Sequence, residues 1–172
     1  MTFGLVVAAA ALLAGAVASI VGFGIGSLLT PLFAVRMGTQ LAVAAVSIPH
    51  LFATALRFWR LRSHVDRRVL VSFGATSAAG GLTGALLHSY ATNRALSIAF
   101  GVILLFVGVS ELSGFARRMR FHGPVAWIAG AASGLFGGLV GNQGGIRSAA
   151  LLGFDIDKQA FVATATAIGL IV

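Results

Sequence analysis

Long apolar runs, separated by short stretches that carry the arginines, set the pattern of this chain. No charged residue occurs from Thr2 to Val35, and further apolar runs cover about 40–57, 69–89, 94–112, 123–153 and 158–172. A helix needs about 20 mostly apolar residues to cross the roughly 30 Å hydrocarbon core of a bilayer. None of the runs shows the short alternating segments of a membrane β-barrel. Helices satisfy their own backbone groups inside lipid. The pattern therefore predicts an all-α integral membrane protein, a polytopic helical bundle of about six spans. The runs 2–35 and 123–153 are anomalous: as straight helices they would extend about 45–50 Å, and both are interrupted by glycines. A break at the glycines is expected in each. The last run would make only about 22 Å of helix. This carries the expectation that the chain stops part-way through a crossing and is the N-terminal portion of a longer protein.

Composition agrees. Of 172 residues, 58% are hydrophobic and only 9% charged, with no cysteine, where soluble domains carry about 25% charged residues. Disorder, a disulfide scaffold and a thiolate metal site are excluded, and no metal or cofactor is expected. The net charge of +8 reads as membrane orientation, not as a nucleic-acid footprint. The 57–68 loop carries Arg57, Arg60, Arg62, Arg67 and Arg68 against Asp66, and the 113–122 loop carries Arg117, Arg118 and Arg120. Arg36, Arg94 and the Asp155, Asp157, Lys158 group are expected to mark the other side. If every run crosses, the N-terminus and both arginine-rich loops are cytoplasmic; topology accounts for these loops without binding of anionic lipid or nucleic acid. Ala16-Val17-Ala18 resembles a signal-peptidase site, but a basic leader is missing and apolar sequence continues to Pro31. Trp59, Trp127 and Tyr90 lie near span ends, as interfacial anchors do. Glu111 lies close to Arg117 and Arg118, its expected partners. His64, His88 and His122 fall at span ends or in loops and are expected to be solvated.

The two interrupted runs share a layout. Gly22-Phe23-Gly24-Ile25-Gly26-Ser27-Leu28-Leu29-Thr30-Pro31 in the first answers to Gly137-Gly138-Leu139-Val140-Gly141-Asn142-Gln143-Gly144-Gly145-Ile146-Arg147-Ser148 in the second. Each is followed by a polar turn and a span opening with small residues, and a shift of about 118 residues superposes them. The layout suggests a first repeat over 1–122, of about four helices, and the start of a second over 123–172. Paired glycine-broken spans in two halves point to a transporter binding site. Glycine lets the backbone leave helical geometry, and a helix restarting mid-membrane presents N–H groups and a positive dipole end to an anion. Close helix packing explains glycines four apart equally well; it is the expected role of Gly80, Gly84, Gly130 and Gly134. Asn142 and Gln143 suit a cavity better than lipid. Arg147, costly inside a membrane, either reaches the surface or offers a planar fork to an oxyanion, with Ser148 beside it. His50, after Pro49, is a candidate for substrate contact or proton transfer, or a structural histidine at a proline kink.

These segments, with the alanine-rich span and the Val65-Asp66 loop, resemble the sulfite exporter TauE/SafE family of membrane transporters. The resemblance covers essentially the whole chain and implies a helical fold with two similar halves. It also implies transport of small sulfur-containing anions such as sulfite or organosulfonates across the bacterial inner membrane. Carrying the signatures over implicates Gly22, Gly24, Gly26, Thr30 and Pro31, then Asn142, Gln143, Gly144, Gly145 and Arg147. Phe23, His50 and Ser148 complete the candidate substrate-binding set. The second segment departs from the family pattern in having Asn142 to Arg147 where another glycine-rich run with a proline is common. The expected function is alternating-access transport of a small anion with no catalytic residue, driven by a coupled proton or ion, an oligomer being possible. There is no G-x-x-x-x-G-K-[ST] loop for nucleotide. Two other readings are a non-transporting membrane scaffold subunit and an intramembrane serine protease at Ser133. The protease would need a histidine base, and only earlier histidines such as His50 and His88 are on offer.

Overall fold

A computed structural model describes the backbone of residues 2–21, 24–118, 123–141 and 144–172. Within these it describes all side chains except those of Thr2, Ser19, Ile20, Val21, Glu111, Ala116 and Arg117. Among the described residues the chain is helical throughout, without strands. In order come α1 (Thr2–Val21), α2 (Ile25–Met37) and α3 (Thr39–Leu61), followed by a 3₁₀ turn, Arg62–His64. Then α4 (Arg67–Val69), a π-turn (Leu70–Gly74) and α5 (Ala75–Tyr90) join into one helix. The chain continues with α6 (Asn93–Leu112), the short α7 (Phe115–Arg118), α8 (Pro124–Val140), α9 (Gly144–Leu151) and α10 (Lys158–Ile171). Among the described residues three helical stretches are long and apolar enough to cross a membrane: Thr39–His64, Arg67–Tyr90 and Asn93–Ser110. They match the runs at 40–57, 69–89 and 94–112. The exterior is apolar, with Leu12, Phe52, Leu56 and Leu105 all exposed, as lipid-facing side chains are.

Both long runs break where the glycines stand, and both then turn back. Ala14, Ala18, Ile25 and Leu29 form one buried cluster with Ala10 and Phe33, and the Arg36 guanidinium lies 4.6 Å from the Phe3 ring centroid. α1 and α2 are therefore antiparallel arms of a hairpin whose open end lies at Phe3 and Arg36. That end also holds Gly38, packed on Asn93; the Gln40 N–H donates to Asn93 Oδ1 at 2.9 Å, and the Thr39 and Ser97 hydroxyls pair at 2.6 Å.

α8 and α9 form the second hairpin, entered from the other end. Phe154 meets Phe73 edge-on at 6.4 Å. Asp66 and Arg68 share a cavity wall with Gly123, Trp127 and Asp155. α10 then starts at this arginine-rich end, capped by Asp157, whose Oδ1 accepts from the Gln159 and Ala160 N–H groups. The Asp66 N–H, donating to Thr164 Oγ1 at 2.9 Å, ties α10 to the loop.

This arrangement corrects the expected orientation. Residues 155–158 share an end with the arginine-rich 62–68 loop, and Phe3 lies at the opposite end from it. The N-terminus and the arginine-rich loops are not on one side. Hydropathy counts apolar length, and two arms folded back have the same length as one long crossing. The reversal comes from the backbone. Gly141 has φ 69° and ψ 15°, a left-handed C-cap, and its N–H donates to Gly137 O at 2.7 Å; Gly24 has φ 136°. Both conformations favour glycine.

α5 and α8 run side by side in the same direction at backbone contact. A Cβ on Gly130, Gly134 or Gly138 would strike the carbonyl oxygen of Phe73, Ser77 or Gly81, and one on Gly80 or Gly84 would strike that of Ala131 or Leu135. The upstream glycines thus serve packing, as expected. His88, expected to be solvated, is half-buried; its Nδ1 bonds Leu139 O at 2.7 Å, satisfying a carbonyl that the end of α8 leaves open. His64 is exposed, while His122 and the Glu111 pairing lie outside the described residues.

Two outcomes follow. The chain has no cysteine, so single cysteines report sidedness: Ser63→Cys and Asp155→Cys label from one side of the membrane and Phe3→Cys from the other. Labelling of all three from one side contradicts the hairpins. Gly134→Leu forces α5 and α8 apart and destabilises by about 3 kcal/mol or more, read as a lowered melting temperature in detergent. Gly4→Leu, where nothing lies within 4 Å of a Cβ, leaves it unchanged.

Candidate functional site

The tips of the two hairpins meet at mid-bundle. A Cβ on Gly26 would lie 2.7 Å from Gly141 O, and one on Gly141 would lie 2.8 Å from Val43 Cγ1. The backbones touch because neither position has a side chain. Beside this contact is a cavity of about 280 Å³. Gly24 and Gly26 from the start of α2, Gly137 and Gly141 from the end of α8, and Gly144 and Arg147 from α9 line it. Ser47, His50 and Leu51 of α3 and Gly169, Leu170 and Val172 at the end of α10 close it.

Two helices therefore restart at this cavity. At the start of α2 the Leu28 N–H donates to Gly24 O at 3.1 Å; the amides before it are those a helix start leaves without an internal acceptor. α9 begins at Gly144 on the opposing hairpin. Both direct the positive ends of their dipoles toward one space.

Arg147 adds a full charge. It is 2% exposed, which removes the alternative that it reaches the membrane surface. Its Nε and Nη1 have no hydrogen-bond partner among the described residues. A Cβ on Gly169 would lie 2.8 Å from its Nη1 and 3.2 Å from Cζ, so the guanidinium lies against bare backbone of α10. His50, half-buried, and Arg57, two turns further along α3, are within electrostatic reach of it. Among the described residues no acidic side chain lines this cavity. Of the four acidic residues in the sequence, Asp66 and Asp157 cap helices, Asp155 lines the other cavity, and Glu111 is in the last turns of α6. A buried cation without a partner costs several kcal/mol. The two unpartnered nitrogens are donors that a group with acceptor oxygens would satisfy.

Of the candidate residues, Gly24, Gly26, His50, Gly144 and Arg147 are brought together on this wall. Gly145 faces α6 instead, a Cβ there lying 2.5 Å from Val107 Cγ1. Thr30 and Ser148 are buried away from the wall, their hydroxyls without partners among the described residues. Gly22, Phe23, Asn142 and Gln143 lie outside the described residues. Ser47, Gly137 and Gly169 were not among the candidates. Ser47 stands one turn before His50, and Gly169 is the lone glycine of the last apolar run; both signals are local and weak.

An all-α membrane bundle with two broken helices around a cationic cavity is the class of a carrier for anions. The profile of the family described as Sulfite exporter TauE/SafE matches residues 7–172, and the chain belongs to this family of membrane transporters. Comparison with curated proteins and with solved structures finds no match.

Removing an unbalanced charge from a buried site relieves its cost. Arg147→Met, of similar length and neutral, is expected to stabilise the fold by ~1–4 kcal/mol, measured as thermal unfolding in anion-poor detergent buffer. Destabilisation would mean that the guanidinium has a partner.

Proposed function

We propose that the chain carries a small anion across the membrane by alternating access, the anion resting in the central cavity on Arg147 and the amides that open α2 and α9. The observation that carries this reading is the buried Arg147 guanidinium, with two unpartnered nitrogens, at the meeting of two restarting helices. The family supports a sulfur oxyanion, sulfite or an organosulfonate, whose trigonal oxygens suit a planar fork. His50 is the candidate for carrying a coupled proton; a coupled ion is the other source of drive.

The two hairpins support a repeat: α1, α2 and α3 answer to α8, α9 and α10, entering from opposite ends. Inverted repeats of this kind place a site at their interface. With the arginine-rich end in the cytoplasm of the inner membrane, the N-terminus is on the outer side. The protease alternative lacks a base: Ser133 is fully buried and its Oγ has no partner among the described residues. The scaffold alternative gives no reason for an unbalanced buried arginine.

The test is flux into proteoliposomes of the full chain, with sulfite, small sulfonates and carboxylates, with and without a pH gradient. Saturable flux is expected for a sulfur oxyanion. Arg147→Gln is expected to abolish it, and Gly24→Leu likewise, with the folded protein retained in the membrane. Undiminished flux in both variants overturns the site.

A further inference from the structure

We propose that α3 carries a second anion station, built from Thr54 and Arg57, that joins the central cavity to the arginine-rich end. This deepens the transport reading and rests on the central cavity being an anion site. Successive residues of a helix advance by about 100°, so Ser47, His50, Thr54 and Arg57 share one face of α3. Ser47 and His50 are on the cavity wall. Thr54 is next toward the arginine-rich end. It is 3% exposed, and its Oγ1 has no hydrogen-bond partner among the described residues. A threonine inside a helix usually returns its hydroxyl to a carbonyl of the preceding turn, as Thr166 does to Val162 O at 2.7 Å and Thr83 does to Ala79 O. Thr54 does not, so a buried donor is left for something else. Arg57 follows, half-buried, about 10 Å along the axis from His50 at 1.5 Å per residue and within electrostatic reach of both His50 and Arg147.

The stripe is directional. On the same face toward the other end, Val43 is apolar and packs on Gly141, and the Thr39 hydroxyl is already paired with Ser97. Donor and charge therefore continue from the cavity toward one end only. The opposing wall is α10, packed along α3, and none of its residues from Phe161 to Val172 is acidic. An anion released by Arg147 moves down a face where the next donor is a hydroxyl and the next charge a guanidinium. The Arg57 charge lowers the barrier of leaving Arg147 for an apolar helix interface.

The test uses the cysteine-free background. Thr54→Cys is treated in sealed vesicles with a small anionic thiol reagent, 2-sulfonatoethyl methanethiosulfonate, and with its cationic trimethylammonium counterpart, from the arginine-rich side. Rates are scaled to those with a free thiol. The anionic reagent is expected to react roughly tenfold faster, as a field-focusing cleft produces. Arg57→Gln removes that preference and Arg57→Lys keeps it. Leu56→Cys, facing outward, reacts with neither. An unreactive Thr54→Cys, equal rates for the two reagents, or a preference that survives Arg57→Gln overturns the station. Where Thr54→Cys does not fold, Ser47→Cys on the cavity wall gives the same reading. The readout needs no transport: absent flux with a charge-selective path refutes the carrier and leaves the station, whereas Arg147-dependent flux with an unselective path does the reverse.

Discussion

The structure depends on main chain leaving helical geometry in the middle of an apolar medium. Lipid accepts unpaired N–H and C=O groups only where protein covers them or a cavity wets them. Here each break covers the other: Gly26 packs on the carbonyl of Gly141, and that carbonyl belongs to the residue that ends α8. A side chain at either position would part the tips and leave both sets of backbone groups facing hydrocarbon. The glycines are thus required by the need to bury peptide groups, and the cavity is the space left beside the contact.

Much of this was legible in the sequence. The three continuous helices over 39–112, the two breaks and the packing role of Gly80, Gly84, Gly130 and Gly134 follow from run length and glycine spacing. Arg147 stood out because an arginine is rare in such surroundings. What the sequence left open was direction. A broken run of about 30 residues has the same composition whether its second arm continues or returns, and only the positive φ of Gly141 and the contacts of Phe3 and Phe154 decide that. The expectation that the N-terminus shares a side with the arginine-rich loops failed for this reason, since it assumed that each apolar run crosses once.

The site was legible in part, for a related reason. Residues that line a cavity through bare backbone at a break are signalled by glycine itself, so Gly24, Gly26 and Gly144 are legible as part of its wall. Residues that act by being absent from a neighbour's path are not. Gly169 matters because the Arg147 guanidinium lies against it, a relation between α9 and α10 that no spacing within either helix encodes. Gly145 shows the converse: it belongs to the right motif and yet faces Val107. Two neighbouring glycines at a helix start point to different sides, and only one of them sees the cavity.

The seam between α5 and α8 has a mechanical consequence. Its five glycines seat each helix on the other's peptide oxygens, so a slide of one residue would drive side chains into main chain. His88 pins the far end of that pair to Leu139. These two helices form one closely packed unit. Among the described residues α1 is in extensive contact with α2 alone, so it hangs on the bundle through that one neighbour, whereas α2 is anchored on α3 and on the opposite hairpin tip.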